Sequence, residues 1–401
     1  VVTVVGLTHR TAPLQVLERF AFSPQTAVQV LRSVPAEALL LVTCNRCELY
    51  GTADPGALAQ AVLDAAGVSA PVPLVVLQGR AAVRHLMAVA AGLDSMVVGE
   101  PQILGQVKDA LALAASAGRL GPVLSRLGQQ ALACGRRVRR QMPPGYGRAS
   151  VPRVAVRLAR RVLEDLTGRT ALMVGAGEMG MLAARALSDA GARVVVLSRT
   201  LQSAEQAARA AGGRGGVLAD LADLLADADV VVLCAGSGRP LLDRARLLPI
   251  VAARRGRALV LVDIAVPRNV DPDVRGTEGV LLYGLEDLRP HLPAPADPQA
   301  LATAWALVEQ DAETFVRWLS ARAAVPAIRA LRQRADAILQ EELDRLSGTD
   351  RERMRRFGQR LVNRMLHHPM VRMREHAAAG QAVYLEVARD LWGLDGADGD
   401  G

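Results

Sequence analysis

The stretch Leu39–Gly51, LLLVTCNRCELYG, runs from strand-like apolar residues into two cysteines three positions apart, Cys44 and Cys47, with Asn45 and Arg46 between them. Three chemistries use such a pair. A disulfide needs an oxidising compartment, and the N-terminus, VVTVVGLTHRTAP, has none of the features of a secretory leader, so a cytoplasmic, reducing location is expected. A zinc site needs two further ligands at a workable spacing. The remaining cysteines, Cys134 and Cys234, have no Cys or His beside them, and no metal is expected. The third chemistry is nucleophilic. A cysteine attacks as its thiolate, which nearby positive charge favours, and Arg46 is placed to supply that charge or to take a substrate carboxylate. Against these stands the plain reading of a cysteine as a small buried filler.

A second constellation is Gly175-Ala176-Gly177-Glu178-Met179-Gly180, a GxGxxG run. It follows the strand-like ALMV and opens the helix-like MLAARALSDAG, the context in which such glycines let a helix N-terminus approach a dinucleotide pyrophosphate. The next strand ends in Ser198, Arg199 and Thr200, where NAD-specific sites usually carry an acid for the ribose hydroxyl. An arginine and two hydroxyls suit a 2′-phosphate, so the expected cofactor is NADPH. Between Val83 and Ala110, polar residues stand out on an apolar background: His85, Asp94, Ser95, Glu100, Gln102 and Gln106. Between Asp109 and Glu164 there is no acidic residue, and the interval is rich in arginine. Within a net charge of +8, such a stripe suits the phosphates of a nucleic acid.

The elements that must position these groups fall into three stretches. At 401 residues the chain exceeds one core, and Pro/Gly clusters at Met142–Gly147 and Arg289–Pro298 read as linkers. The first stretch mixes strands (VVTVVGL, ALLLVT, PVPLVVLQG) with helices, and a long helical region follows Arg80. The second alternates strand and helix, as in a parallel doubly wound sheet. The third is helical. Leu301, Trp305, Val308, Ala312, Phe315 and Leu319 form a seam of alternating four- and three-residue spacing, expected to be a dimer interface. Pro326 is expected to kink or restart that helix, and the tail LDGADGDG to be disordered. No apolar run reaches the ~18 residues of a membrane span, so no membrane association is expected.

The sequence resembles the glutamyl-tRNA reductase family over nearly its whole length. The motifs, in order, are GLTHRTAPLQVLERFAF, TCNRCELY, GLDSMVVGEPQILGQVK, GAGEMG, DIAVPRNVDP and LVNRMLHHP. The resemblance implies an α/β multidomain protein: a catalytic α/β domain (1–143), a Rossmann NADPH domain (148–290) and a helical linker and dimerisation domain (297–401), joined by a long helix into a V-shaped homodimer. It implies that Cys44 is the nucleophile and His85 is important for activity. Thr43, Asn45, Arg46, Ser95, Glu100, Pro101, Gln102 and Gln106 then line the substrate pocket, and Cys47 is non-catalytic. The implied reaction reduces glutamyl-tRNA to glutamate-1-semialdehyde through a cysteine thioester, the first committed step of the C5 route to tetrapyrroles. Hand-over of the reactive aldehyde to glutamate-1-semialdehyde aminomutase is a further expectation. The competing readings are a small-molecule NADP dehydrogenase of the shikimate type and a non-enzymatic tRNA-binding protein. Neither requires both Cys44 and the full glycine motif.

Overall fold

A computed structural model describes residues 1–69, 71–143, 146, 150–292, 297–345, 351–381 and 383–394. The chain opens with β1 (Thr3–Thr8), α1 (Leu14–Arg19) and α2 (Pro24–Ser33), then β2 (Ala38–Thr43) and β3 (Arg46–Gly51). After α3 (Pro55–Ala66) come β4 (Val75–Gln78), α4 (Arg80–Ala90), α5 (Gln102–Ser116) and α6 (Pro122–Gln141). The four strands form an antiparallel sheet in the order β2-β3-β1-β4. β1 and β3 occupy its middle and are buried along their whole length. The α4–α5 connection is the loop LDSMVVG, closed where Gly99 N–H donates to Gly92 O at 2.9 Å. Gly99 has φ +84°, and a Cβ there would meet the Tyr146 ring at 2.7 Å, so glycine is required on both counts.

The second region runs α7 (Val151–Leu163), β5 (Thr170–Val174), α8 (Glu178–Asp189), β6 (Arg193–Ser198), α9 (Leu201–Arg209), β7 (Arg214–Val217) and α10 (Leu221–Leu225). It continues with β8 (Val230–Leu233), α11 (Arg244–Ala253), β9 (Leu259–Asp263) and β10 (Val280–Gly284). The strands form one parallel sheet, β10-β9-β8-β5-β6-β7. Period-two alternation divides its side chains between two cores. Ala171, Met173, Val194, Val196, Val230, Val232, Val260 and Val262 face one, and Leu172, Val174, Val195, Leu197, Val231, Leu233, Leu259 and Leu261 the other. The order reverses between β5 and β8, the switch point at which dinucleotides bind.

The helical end contains α12 (Pro298–Asp344), α13 (Arg351–Ala378) and α14 (Val383–Trp392). Of the expected kink or restart at Pro326 the restart does not occur: the helix runs on through it. Both Pro326 and Arg322, whose carbonyl loses its donor, are exposed, so water can satisfy that oxygen. Val308, Ala312 and Phe315 of the expected dimer seam are buried, and Leu301, Trp305 and Leu319 are half-buried. Ala304 and Val308 lie inside the first compact unit, where the Arg84 guanidinium sits 4.4 Å over the Trp305 ring. The open apolar row is instead Met354, Phe357, Leu361 and Met365 on α13.

Compact units divide at Val308: residues 1–308 form one and 309–401 another. The expected division near 143 is not a gap in packing, because Met96 and Val97 of the α4–α5 loop belong to the core of the parallel-sheet region. Glu18 on α1 also clamps Arg268, at 2.6 Å to Nε and 2.9 Å to Nη2. The second unit has its own core, built from Ala324, Ala327, Ile328 and Leu331 of α12 with Leu366 and Met373 of α13. Parts of both expected linkers, and the tail beyond Leu394, lie outside the described residues.

Candidate active site

Cys44 and Asn45 are the two loop residues of the β2–β3 hairpin, between the paired residues Thr43 and Arg46. Neither has a positive φ, so this is not the primed turn that two-residue hairpins favour. The turn is held by other contacts. Asn45 N–H donates to Thr43 Oγ1 at 3.1 Å, and Asn45 O accepts from His9 N–H at 2.8 Å. Cys44 faces a small pocket shared with His9, Ala12, Leu14, Leu17 and Met96, and with Leu285, Glu286 and Arg289 from the parallel-sheet region. Cys47, three residues on, is buried in β3, and both are free thiols.

Period two puts Arg46, Glu48 and Tyr50 on one face of β3. Arg46 Nη1 donates to Glu48 Oε1 at 2.8 Å and to Asp94 Oδ2 at 3.0 Å, while Nη2 donates to the Asp94 carbonyl. Asp94 also pairs with Arg10 at 2.9 Å. Tyr50 O–H donates to Glu48 Oε2 at 2.7 Å, and His85 Nε2 lies 2.8 Å from Glu48 Oε1. Burial works against the Glu48 charge, but Arg46 and then His85 outweigh it and hold the carboxyl at about 2. Glu48, His85 and Asp94 converge closely enough to suggest a metal site. Their cation is the Arg46 guanidinium.

Two expectations therefore change. With a side chain 1 % exposed and two carboxylates on it, Arg46 has no free fork for the bidentate substrate pairing read from sequence. Its charge is also largely balanced. Burial, with Glu100 adding to it, pushes the Cys44 thiol up to about 12, and Arg46 pulls it down only weakly. At neutral pH Cys44 is therefore a thiol.

The remaining sequence-derived positions lie on the α4–α5 loop and on α5, and are not among the described residues that line the Cys44 pocket. Ser95 is buried in the α4–α5 loop, Pro101 precedes α5, Gln102 begins it, and the half-buried Gln106 follows one turn later. Gln102 Nε2, Asn45 Oδ1 and His9 Nδ1 are buried and have no partner among the described residues. Unpaired buried polar atoms are costly, and two of these, on His9 in the Cys44 pocket and on Asn45 in the Cys44 turn, suit a polar ligand. The Glu100 carboxylate accepts from Val151 N–H at the start of α7, and burial with the nearby Glu178 raises it to about 7.

A cleft of about 600 Å³ lies at the C-terminal ends of β5, β6 and β8. Its lining includes Gly175, Ala176, Gly177, Ser198, Arg199, Ser203, Cys234 and Arg239, and no carboxylate. Gly177 caps α8 without a side-chain bond, which leaves the first N–H groups of the helix free for an anion. A Cβ on Gly180 would sit 1.9 Å from Gly175 O, so the third glycine serves helix–strand contact. These residues fit NADPH, and Arg199 is among those lining the cleft. Glu178 and Met179 do not line the cleft; Glu178 is raised by burial and by Asp109. Thr200 caps α9, its Oγ1 accepting from Ser203 N–H, which takes it away from the phosphate role.

Sequence reasoning passed over His9, Glu48, Arg239 and Arg289. The Arg-x-Glu-x-Tyr alternation on β3 was a usable signal for Glu48. Arg289 carries no local signal, because it reaches Cys44 only through tertiary packing. Part of the arginine stripe also turns inward: Arg139 Nη2 donates to Glu100 O at 2.9 Å.

Three family models match the chain in order. The glutamyl-tRNAGlu reductase N-terminal domain covers residues 5–142, shikimate / quinate 5-dehydrogenase covers 157–291, and the glutamyl-tRNAGlu reductase dimerisation domain covers 303–394. A glutamyl-tRNA reductase of Myxococcus xanthus is 40% identical, spanning 97% of this chain and 93% of its own length. That of Rubrobacter xylanophilus is 39% identical, spanning 98% and 97%. A solved structure, glutamyl-tRNA reductase from Methanopyrus kandleri, is 30% identical over 98% of this chain and 99% of its own, with a TM-score of 0.49. With relatives of this identity aligned end to end and two of its own domain models present in order, the chain belongs to the glutamyl-tRNA reductase family.

Proposed function

We propose that this chain reduces glutamyl-tRNA to glutamate-1-semialdehyde with NADPH, at the head of tetrapyrrole synthesis, and that Cys44 is the residue acylated. The observation that supports it most directly is the position of Cys44: on a tight turn, in a pocket whose other wall comes from the cofactor-binding half. Attack by sulfur on the ester carbonyl forms a glutamyl thioester and frees the tRNA 3′-hydroxyl, dividing one hard step into two. Bound NADPH supplies the hydride that takes the acyl group to the aldehyde level.

The protein groups have distinct tasks. Asn45 Oδ1, a buried acceptor without a partner, suits the substrate α-ammonium. Gln102 Nε2, a buried donor without one, suits a carbonyl or carboxylate oxygen. Thr43, Ser95, Glu100, Pro101 and Gln106 are assigned to the rest of the substrate, outside the lining of the small Cys44 pocket. Arg46 acts from beneath, fixing Asp94 and Glu48, while Glu48 orients His85. The exposed arginines Arg136, Arg140, Arg153, Arg157, Arg160 and Arg161 on α6 and α7 suit the tRNA phosphates. Two copies pair through the open row on α13, and the protein works in the cytoplasm, passing its aldehyde to glutamate-1-semialdehyde aminomutase. The working domains are 1–143, 148–290 and 297–401.

The test is acid quenching after exposure to labelled glutamyl-tRNA without NADPH. Label should remain on the peptide containing Cys44, and NADPH should discharge it as aldehyde. Oxidation of NADPH with free glutamate but not with glutamyl-tRNA would instead favour a small-molecule dehydrogenase.

A further inference from the structure

Acylation of Cys44 has an unsolved proton problem. The attacking sulfur starts as a thiol, and the ribose oxygen that leaves must gain a proton. Arg46 cannot relay one, since it is fully charged and held by two carboxylates. His85 is turned toward Glu48 through Nε2 and does not line the Cys44 pocket.

His9 does line it. It follows directly on β1, and its backbone is fixed from both sides. Its N–H donates to the carbonyl of Asn45, the neighbour of Cys44, at 2.8 Å, and its carbonyl accepts from Arg289 Nη2 at 2.9 Å. The backbone bond that holds the Cys44 turn therefore also fixes His9 as a wall of the pocket that Cys44 lines. Its Nδ1 is buried and has no partner among the described residues, although histidine nitrogens taken out of water are normally paired. Glu286 lines the same pocket and can balance a transient positive charge.

Resting on the assignment of Cys44 as nucleophile, we propose that His9 is a catalytic residue: the proton carrier between the Cys44 thiol and the ribose 3′-oxygen. As the S–C bond forms, the thiol proton passes to the imidazole. As the C–O bond to ribose breaks, the imidazolium gives that proton to the departing oxygen. The products are the thioester, a free 3′-hydroxyl and a neutral imidazole, with no proton gained or lost overall. Burial, then Arg46 and Arg10, lower His9 to about 4, so it waits in the neutral form and holds a proton only in transit. His85 becomes a positioning residue that acts through Glu48.

The test measures the first-order acylation rate at saturating labelled glutamyl-tRNA without NADPH, for wild type, His9→Ala, His9→Asn and His85→Asn. General acid–base catalysis is worth about 10²–10⁴-fold, and both His9 variants should slow by that order while still binding NADPH and tRNA. Added imidazole should recover part of the rate in His9→Ala and change neither wild type nor His85→Asn. His9→Asn keeps much of the side-chain volume and guards against a packing defect in the alanine variant. A His9→Ala rate within threefold of wild type, or a loss that imidazole leaves unchanged, would overturn the proton-carrier role. Failure of wild type itself to acylate would instead bring down the nucleophile assignment.

Discussion

At the scale of single residues, what the two neighbouring cysteines do depends on their surroundings. Cys44 lies on a turn at a pocket, while Cys47 points into the buried β3 face. Cys44→Ala and Cys44→Ser should abolish reduction while NADPH still binds, because the glycine cleft is separate. Serine is a weak nucleophile without an adjacent activating base. Cys47→Ser should retain most activity; acyl label that survives in Cys44→Ala would show that the wrong sulfur was chosen. Because burial holds Cys44 near 12, its alkylation by iodoacetamide without substrate should climb steadily between pH 7 and 10 with no plateau. At the cofactor, Arg199→Ala should weaken NADPH but not NADH. A charge-assisted bond worth about 1.5–3 kcal/mol corresponds to roughly ten- to a hundredfold, read by titration with both nucleotides. The glycine cleft was legible because the spacing of its glycines between strand and helix fixes their geometry, whereas the spacing of the two cysteines left several chemistries open and only the family resemblance singled out Cys44. The Arg46 role was not legible, since nothing in TCNR reveals that Asp94, from a distant loop, fills its fork.

At the scale of elements, β3 turns an alternating sequence into a buried polar face. Arg46, Glu48, Tyr50 and His85 satisfy one another, and removing one member of such a set costs about 3–5 kcal/mol by stranding the others. Glu48→Gln should therefore lower stability to denaturant strongly at pH 7. Its acid dependence has a defined sign. The folded carboxyl lies at about 2, below its ordinary 4.5. The stabilisation is complete above about 4.5 and is lost as pH falls toward 2. Wild type and Glu48→Gln should converge in stability across that window, and a gap that stays constant would remove the ion pair from the account. The strands and helices themselves were readable from period two and period 3.6. Two short strands, β7 and β10, were not. β7 is the glycine-bearing RGGV, and β10 reads as an unremarkable apolar pentad, VLLYG, until paired with β9.

At the scale of the molecule, heptad spacing correctly marked an apolar seam on α12 but not what covers it. Val308, Ala312 and Phe315 are already buried in one chain, whereas Met354, Phe357, Leu361 and Met365 are exposed at helical spacing on α13. Phe357→Glu should therefore give folded monomers by sedimentation. Leu319→Glu, in the seam, should lower the melting temperature rather than merely separate subunits. A dimeric Phe357→Glu protein at micromolar concentration would place the interface elsewhere.

Met96 and Val97, carried on the loop whose Met96 shares a pocket with Cys44, complete the hydrophobic core beneath the cofactor sheet. The halves of the first unit are thus not interchangeable cassettes. A chimera that takes its cofactor half from a relative inherits a socket cut for different plugs. Truncating a buried methionine to alanine already costs about 2–5 kcal/mol. Exchange of parts among such reductases should succeed only when the loop beside the cysteine travels with the sheet that receives it.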